Sequence, residues 1–249
     1  MPRTRNALQC FQTGTSSPTS TAPENHVRRV GYSARCVPIL HRYPDGAETS
    51  LGFDFISRWL HEYRPGKEFR IVVSGGTCSV LLLRNRTSTR DIDIYCDDAI
   101  QLQDVLAAGR ACPNSVHWPV NWINAEMVAY VLNNEGCERL FQNSVAQGIM
   151  MYSSANFKAY GADWRFQLVG KIRRAYDAYL DHEPSPKDLY DAVDILHILN
   201  VKDGRNQRSS EMKKWYYYGY RMGPREVEYI NEAYWQKFGR IGIDEEDKK

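Results

Sequence analysis

The sequence predicts an α/β (α+β) fold in which a short mixed β-sheet with flanking helices precedes a helical C-terminal part. Four short segments have the pattern of β-strands, and segments with apolar residues at helical spacing accompany them. The last third of the chain has mainly helical periodicity. Over 249 residues we therefore expect three regions: a disordered tail at 1–30, an α/β domain at 31–162 and a helical region at 163–249.

The composition is that of a globular protein with little net charge. Hydrophobic residues make up 43% of the chain, charged residues 25%, and the formal net charge is +2. This excludes a strongly basic nucleic-acid coat protein and argues against a polyacidic tail protein. No stretch approaches the roughly 18 apolar residues of a membrane span, so we expect no membrane partner. The six cysteines form no C-x-x-C pair and no apolar signal-type segment is found, which favours a cytoplasmic location.

Residues 1–30 are rich in Ser, Thr, Pro and Arg and contain no acidic residue before Glu24. Such a segment buries too little apolar surface to offset the entropy of ordering it, so we expect it to be disordered. A transit peptide has a similar composition, but Leu8 and Phe11 make a poor amphipathic face. We expect order to begin near Gly31.

The α/β region starts with a helix and a strand. Leu51, Phe55, Trp59 and Leu60 lie at helical spacing, and Pro65-Gly66 is expected to end that helix. The remaining predicted elements follow from apolar runs, alternation and caps: strands at 69–73 and 91–95, a helix at 100–109 capped by Asp97-Asp98, a helix at 119–132, strands at 148–152 and 156–160, and helices at 166–179, 187–199, 211–221 and 225–238.

One constellation carries chemistry. Asp91 and Asp93 are two residues apart in a predicted strand, so their carboxylates project from one face. Two such carboxylates repel each other, and a divalent cation relieves the repulsion. Oxygen ligands of this kind suit Mg²⁺ held against substrate phosphates. The alternative is an acidic strand end that binds no metal.

The turn before this pair suits a phosphate ligand. Gly75 and Gly76 carry no side chain, so the backbone can approach a triphosphate, and the N–H groups of the following helix start favour an anion. Phosphates on one side and a metal on the other describe a site for phosphoryl or nucleotidyl transfer.

These motifs resemble those of the nucleotidyltransferase superfamily, which has the polymerase-β-like fold. The resemblance is carried by Ser74-Gly75-Gly76 and by the segment R-T-S-T-R-D-I-D-I at 86–94. Within the superfamily the chain is most similar to the bacterial abortive-infection toxin type and its uncharacterised relatives. Trp122-Ile123-Asn124 resembles their W-L-N segment. Lys171-Ile172-Arg173 and Lys187-Asp188-Leu189-Tyr190-Asp191 resemble their K-x-x-R and (R/K)-D-x-x-D motifs, with Lys187 where Arg is usual.

The resemblance implies a nucleotidyltransferase-like fold and a role for each matching residue. Asp91 and Asp93 would be catalytic and bind Mg²⁺. Lys171, Lys187 and Asp191 would be catalytic on the helical side of the cleft, near phosphate or substrate. A nucleoside triphosphate (NTP) would be held by the remaining site residues: Ser74, Gly75, Gly76 and Arg90. Many members carry a third carboxylate on a neighbouring strand, and Glu126 and Asp191 are the candidates here.

Two functions remain open. The first is an Mg²⁺-dependent nucleotidyltransferase that transfers a nucleoside monophosphate from an NTP to a hydroxyl of a small molecule, RNA or protein. The second is a catalytically degenerate nucleotide-binding or protein-interaction module of the same fold. A nucleic-acid-binding role for the aromatic C-terminal helices is less favoured, because such aromatics more often pack in a core.

Two of these residues also have ordinary interpretations. Lys171 could be a surface lysine whose stem covers apolar neighbours. Asp191 could be a solvated position on a helix.

Overall fold

The structure is a computed structural model that describes residues 44–113, 118–119, 121–216, 219 and 221–245. A five-stranded mixed sheet forms its centre. The strand order is β3-β2-β1-β5-β4, and β1 runs antiparallel to β2 and parallel to β5. The mixed sheet flanked by helices confirms the predicted fold class at this level. The strands are β1 (Phe69–Ser74), β2 (Ile92–Tyr95), β3 (Ile123–Asn124), β4 (Met150–Ser153) and β5 (Phe157–Gly161).

Helices cover both faces of this sheet. A short helix α2 (Gly76–Cys78) follows β1 and continues as a π-helical turn, Ser79–Leu83. A separate two-stranded parallel sheet joins β6 (Gln207–Arg208) to β7 (Ile243–Asp244). The other helices are α1 (Gly46–Tyr63), α3 (Ala99–Arg110), α4 (Glu126–Asn133), α5 (Leu140–Gln147), α6 (Trp164–Leu180), α7 (Pro186–Asp203), α8 (Ser209–Met212) and α9 (Pro224–Phe238).

The two faces of the sheet belong to two apolar cores. Ile71 and Val73 of β1 are fully buried in the core formed with α1 and α3. Val72, between them, belongs to the opposite core, which contains Leu168 of α6 and Val193 of α7. This alternation is what a strand buried on both faces requires. Residues of the predicted α/β region and of the predicted helical region together form this second core, and the described residues form one compact unit.

The same alternation determines where Asp93 points. Ile92 and Ile94 lie in the core beneath α1 and α3. Asp93, between them, therefore projects from the other face, the side of the sheet that α6 and α7 cover. Its register partner on β1 is Ser74, the last residue before the glycine turn.

Most predicted elements are confirmed. The N-cap predicted at Asp97-Asp98 is Asp98, which accepts the backbone N–H groups of Ile100 and Gln101 at 2.8 and 3.0 Å. Four predicted strands are observed: β1 (predicted at 69–73), β2 (91–95), β4 (148–152) and β5 (156–160). Four predicted helices are observed: α3 (predicted at 100–109), α6 (166–179), α7 (187–199) and α9 (225–238).

Two predictions were wrong in part. The helix predicted at 119–132 is a strand followed by a shorter helix, because Ile123 and Asn124 pair with β2 before α4 begins. The helix predicted at 211–221 starts earlier as the short α8, and residues 217, 218 and 220 lie outside the described part. The helix predicted through Leu51 and Leu60 is confirmed as α1, although Leu51 itself is 55% exposed. Phe53, Ile56 and Leu60 are fully buried in the core, and Phe55 and Trp59 pack against it.

Three elements were not predicted: α5, β6 and β7. The tail predicted at 1–30 lies outside the described residues. Within the described ranges, no helix is both long and apolar enough to cross a membrane.

Candidate functional site

A cleft of about 540 Å³ opens at the end of β1, between the sheet and helices α4, α6 and α7. It collects residues from segments that are far apart in the chain. Eight of the nine predicted site residues line it, and the exception is Asp191. The eight are Ser74, Gly75, Gly76, Arg90, Asp91, Asp93, Lys171 and Lys187.

The glycine turn packs directly against the acidic pair. Gly75 has a φ of +71°, a conformation that other residues rarely adopt. A Cβ atom on Gly75 would lie 2.6 Å from Oδ2 of Asp93, and one on Gly76 would collide with Oγ1 of Thr89. A side chain on either glycine would therefore displace the Asp93 carboxylate or the Thr89 hydroxyl, and the backbone of the turn lies beside the Asp93 carboxylate.

Two buried threonines, Thr77 and Thr89, hold the backbone of Asp91 and were missed by the sequence analysis. Their hydroxyls donate hydrogen bonds to the Asp91 carbonyl at 3.1 and 3.0 Å. Thr77 follows the glycine turn, so its bond joins that turn to the acidic pair, whereas the Thr89 bond lies within the segment that carries the pair. Thr77 lies next to one identified motif and Thr89 within the other, but a hydroxyl there does not reveal its partner.

The loop before β2 is also fastened to the start of α1. The Thr89 backbone N–H donates to the carbonyl of Pro44 at 3.1 Å, and Asp45 forms an isolated β-bridge with Ser88. Asp45 is itself the N-cap of α1 in a capping box with Glu48. The loop that carries the cleft-lining Arg86 and Arg90 is thus anchored on a stable helix end.

The electrostatics of the acidic pair are unfavourable in the protein alone. Burial raises the pKa of Asp93 to about 6, and the neighbouring charge of Asp91 adds to that rise. Burial and the charge of Glu126 raise the pKa of Asp91, although Arg90 and Lys187 act in the opposite direction. The two carboxylates therefore lack sufficient positive charge around them, which is the condition that a divalent cation relieves.

The donor set fits Mg²⁺ that arrives with phosphates rather than a metal enclosed by protein. Across the described residues, no group of three or more His, Cys, Asp and Glu side chains is arranged to hold a metal ion. Mg²⁺ is commonly bound by one or two carboxylates, with substrate phosphates and water completing its coordination. Asp91 and Asp93 are the two residues that would hold the ion here, beside the backbone of the glycine turn that lines the same cleft.

The strand next to β2 carries an amide beside Asp93. Asn124 of β3 is the register partner of Asp93. Its Oδ1 accepts the backbone N–H of Glu126 at 2.9 Å, while its buried Nδ2 lowers the pKa of Asp93 without forming a hydrogen bond of ordinary geometry. Of the two candidates for a third carboxylate, Glu126 lines the cleft and Asp191 does not.

Lys171 is a buried lysine and not a surface one. It is 3% exposed, and its Nζ lies 2.9 Å from Oδ1 of Asp188 and 2.6 Å from Oδ2 of Asp191. A lysine removed from water needs such partners to remain charged. The structure thus contradicts the interpretation of Lys171 as a solvated side chain on α6.

Asp191 lies behind the cleft, where the sequence had suggested either a catalytic or a solvated carboxylate. Its side chain is fully buried and accepts hydrogen bonds from Ser79 Oγ at 2.8 Å and from Arg86 Nε at 3.2 Å. A second guanidinium nitrogen of Arg86 and the ammonium of Lys171 also contact it. With four donors around it, Asp191 orients Arg86 and Lys171 and does not itself face the cleft.

Asp188, in contrast, does line the cleft. Although burial raises the pKa of its carboxyl, the charges of Lys171 and Arg174 outweigh that effect and hold the pKa below its usual range. Arg90 and Lys187 are exposed at the mouth of the cleft, and neither forms an ion pair within the described ranges. These two cations remain available for an anionic ligand.

The aromatic C-terminal residues pack largely as a core. Tyr216 and Tyr234 are buried, and Tyr216 donates a hydrogen bond to Asp163 at 2.7 Å. Trp235 is 59% exposed. The described aromatics therefore favour the packing interpretation over a base-stacking surface.

No family model, no curated protein and no solved structure matches this chain. The functional argument consequently depends on the cleft itself.

Proposed function

We propose that this protein is an Mg²⁺-dependent nucleotidyltransferase that transfers a nucleoside monophosphate from an NTP to a hydroxyl of a small molecule, RNA or protein. The observation that carries the proposal is the convergence of a glycine turn, two uncompensated carboxylates and several cations on one cleft. This combination matches the charge distribution of a metal-bound triphosphate. Its proposed location is the cytoplasm.

Each group has a distinct task in this proposal. Asp91 and Asp93 hold Mg²⁺, which when bound neutralises charge on the phosphates. The backbone at Gly75 and Gly76 lines the cleft and would border the phosphates, with the Asp93 carboxylate and the Thr89 hydroxyl packed where glycine side chains are missing. Arg90, Lys187 and the buried Lys171 bind phosphate oxygens.

The reaction is an in-line displacement at the α-phosphorus. The acceptor oxygen bonds to that phosphorus, the bond to the bridging oxygen breaks, and pyrophosphate leaves with the electron pair. The acceptor proton passes to a carboxylate, for which Glu126 is our candidate because it is exposed and borders the acidic pair.

The test is transfer of label from NTPs that carry it on the α-phosphate. Each of the four NTPs is incubated with Mg²⁺, the full-length protein and separate pools of small metabolites, RNA and protein. We expect label to enter one pool with release of equal pyrophosphate, and Asp93→Asn to reduce the rate about 100-fold or more. Asp181→Asn, on an exposed carboxylate at the end of α6, is the control. The proposal fails if no NTP is bound or turned over.

A binding module without catalysis is the second candidate function. The observation that favours it is the amide of Asn124 on the strand position beside Asp93, where a shared carboxylate would assist catalysis. Calorimetric titration of NTPs with and without Mg²⁺ separates the two. Binding that depends on Mg²⁺, with no label transfer to any pool, supports the module.

A further inference from the structure

Three cations converge on a single oxygen atom of Asp188. Oδ1 of this residue lies 2.9 Å from Nζ of Lys171, 3.7 Å from Nη2 of Arg86 and 3.8 Å from Nη2 of Arg174. Its other oxygen, Oδ2, accepts a hydrogen bond from Ser185 Oγ at 3.1 Å. Several cations and a hydroxyl around one carboxylate form the environment that proteins build for a phosphate.

Two of the three neighbouring cations do not depend on this carboxylate alone. Lys171 and Arg86 are both held by the buried Asp191 as well. Asp191 does not line the cleft, whereas Asp188 and its three cations do. The two acids of α7 therefore differ: one supports the cations from behind, and the other meets them on the side where a ligand enters.

We propose that Asp188 is an internal anion that occupies a phosphate subsite of the cleft, and that a terminal phosphate of a polyphosphate ligand displaces its carboxylate from Lys171, Arg86 and Arg174. This inference rests on the proposed function, since the ligand is the triphosphate of the same site. Phosphate oxygens make the same charge-assisted hydrogen bonds as a carboxylate.

The arrangement discriminates among phosphate ligands. The three cations already interact with the Asp188 carboxylate. A ligand therefore gains binding free energy from them only to the extent that its phosphate interacts with them more strongly than this carboxylate does. A triphosphate brings more charge and further contacts at the glycine turn, so it can overcome this competition. A nucleoside monophosphate has one phosphate, which cannot contact both the three cations and the glycine turn, so we expect it to bind weakly. Asp188 thereby makes the cleft selective for a polyphosphate chain.

The experiment measures binding of inorganic tripolyphosphate with Mg²⁺ to the full-length protein by calorimetry. This probe carries the phosphates without a base, so an unknown base preference does not matter. We expect Asp188→Asn to lower the Kd about tenfold, because the competing charge is gone while Lys171 retains Asp191. Asp181→Asn should leave the Kd unchanged, and Asp191→Asn should raise it because Arg86 and Lys171 lose their support.

A second variant guards against a folding defect in Asp188→Asn. Ser185→Ala removes the hydroxyl that holds Oδ2 of Asp188, and it should lower the Kd by about two- to threefold. An unchanged or higher Kd in a folded Asp188→Asn or in Ser185→Ala overturns the inference. If the parent shows Mg²⁺-dependent binding that Asp93→Asn abolishes, the proposed function stands despite that result. If neither the parent nor Asp188→Asn binds the probe, the inference fails, and NTP binding and label transfer decide the proposed function separately.

Discussion

Gly75 shows how much of this site depends on a single residue. Its positive φ would strain any other residue, and its missing side chain leaves room for the Asp93 carboxylate. Gly66, in the turn after α1, has a similar φ of +75°, but a Cβ atom added there would meet no atom within 4 Å. Alanine substitutions at the two positions can therefore distinguish the free-energy cost of backbone strain, which both share, from that of a steric clash, which only Gly75 adds.

We expect Gly75→Ala to destabilise the protein more than Gly66→Ala does. Both variants carry a backbone penalty of about 1 kcal/mol, and the first adds a clash with Asp93 that costs about 1–3 kcal/mol. Urea unfolding of both variants measures the difference, and tripolyphosphate binding should be lost in Gly75→Ala alone. Equal losses of stability and unchanged binding in both would contradict this view of the turn.

At the same scale, sequence reasoning identified most of the residues that line the cleft but not which partners each side chain contacts. The motifs correctly predicted that Asp91, Asp93 and the glycines would meet, because they are close in sequence and alternation orients them. Asp191 is different, since its partners Ser79 and Arg86 are 112 and 105 positions away. No local pattern reports such a contact, so its burial could not be predicted.

At the scale of elements, α7 is one of the two helices of the helical region that line the cleft. Asp191 and Asp194 are three residues apart on it but lie in different environments. Asp191 is buried with Ser79, Arg86 and Lys171, whereas Asp194 is partly exposed and pairs with Lys237.

Asp191→Asn should therefore cost much more stability than Asp194→Asn. Removing one partner of a buried ion pair leaves charge uncompensated, and we expect a loss of about 2–4 kcal/mol. The exposed pair of Asp194 is worth about 1 kcal/mol or less. Denaturant unfolding of the two variants under identical conditions provides the measurement. Comparable losses would mean that the buried network does not stabilise the fold.

The elements that sequence reasoning missed are short or polar. Strand β3 has two residues, too few for alternation to appear, and it exists because Ile123 and Asn124 pair with β2. Helix α5 buries only Leu140 and Ser144, so its apolar periodicity is weak. Long elements with a strong apolar face, such as α6 and α7, were predicted because their pattern is repeated over several turns.

At the scale of the whole molecule, the cleft is a source of instability that depends on pH. The pKa of Asp93 is about 6 in the folded protein and near 4 in an unfolded chain. The folded state therefore binds this proton more tightly than the unfolded chain does. The resulting contribution to the free energy of unfolding is fully present below about pH 4 and is lost as the pH rises through 6.

Asp93→Asn should accordingly be more stable than the parent at pH 8 and equally stable near pH 4, in buffer without divalent cations. The expected gain at pH 8 is about 1–3 kcal/mol, because the neutral amide avoids both burial of charge and repulsion by Asp91. Unfolding curves at the two pH values test this, with Asp181→Asn as the control. A gain of the same size at both pH values would refute the electrostatic explanation.

The hydrogen bond between Thr89 and Pro44 has a practical consequence for truncated versions of the chain. Secondary structure alone suggests that a shortened protein could start at Gly46, the first residue of α1. Such a version would lack the Pro44 carbonyl and the Asp45 bridge, and with them two attachments of the stretch that carries Arg86 and Arg90. The N-terminal cut for crystallisation or labelling therefore belongs upstream of Pro44.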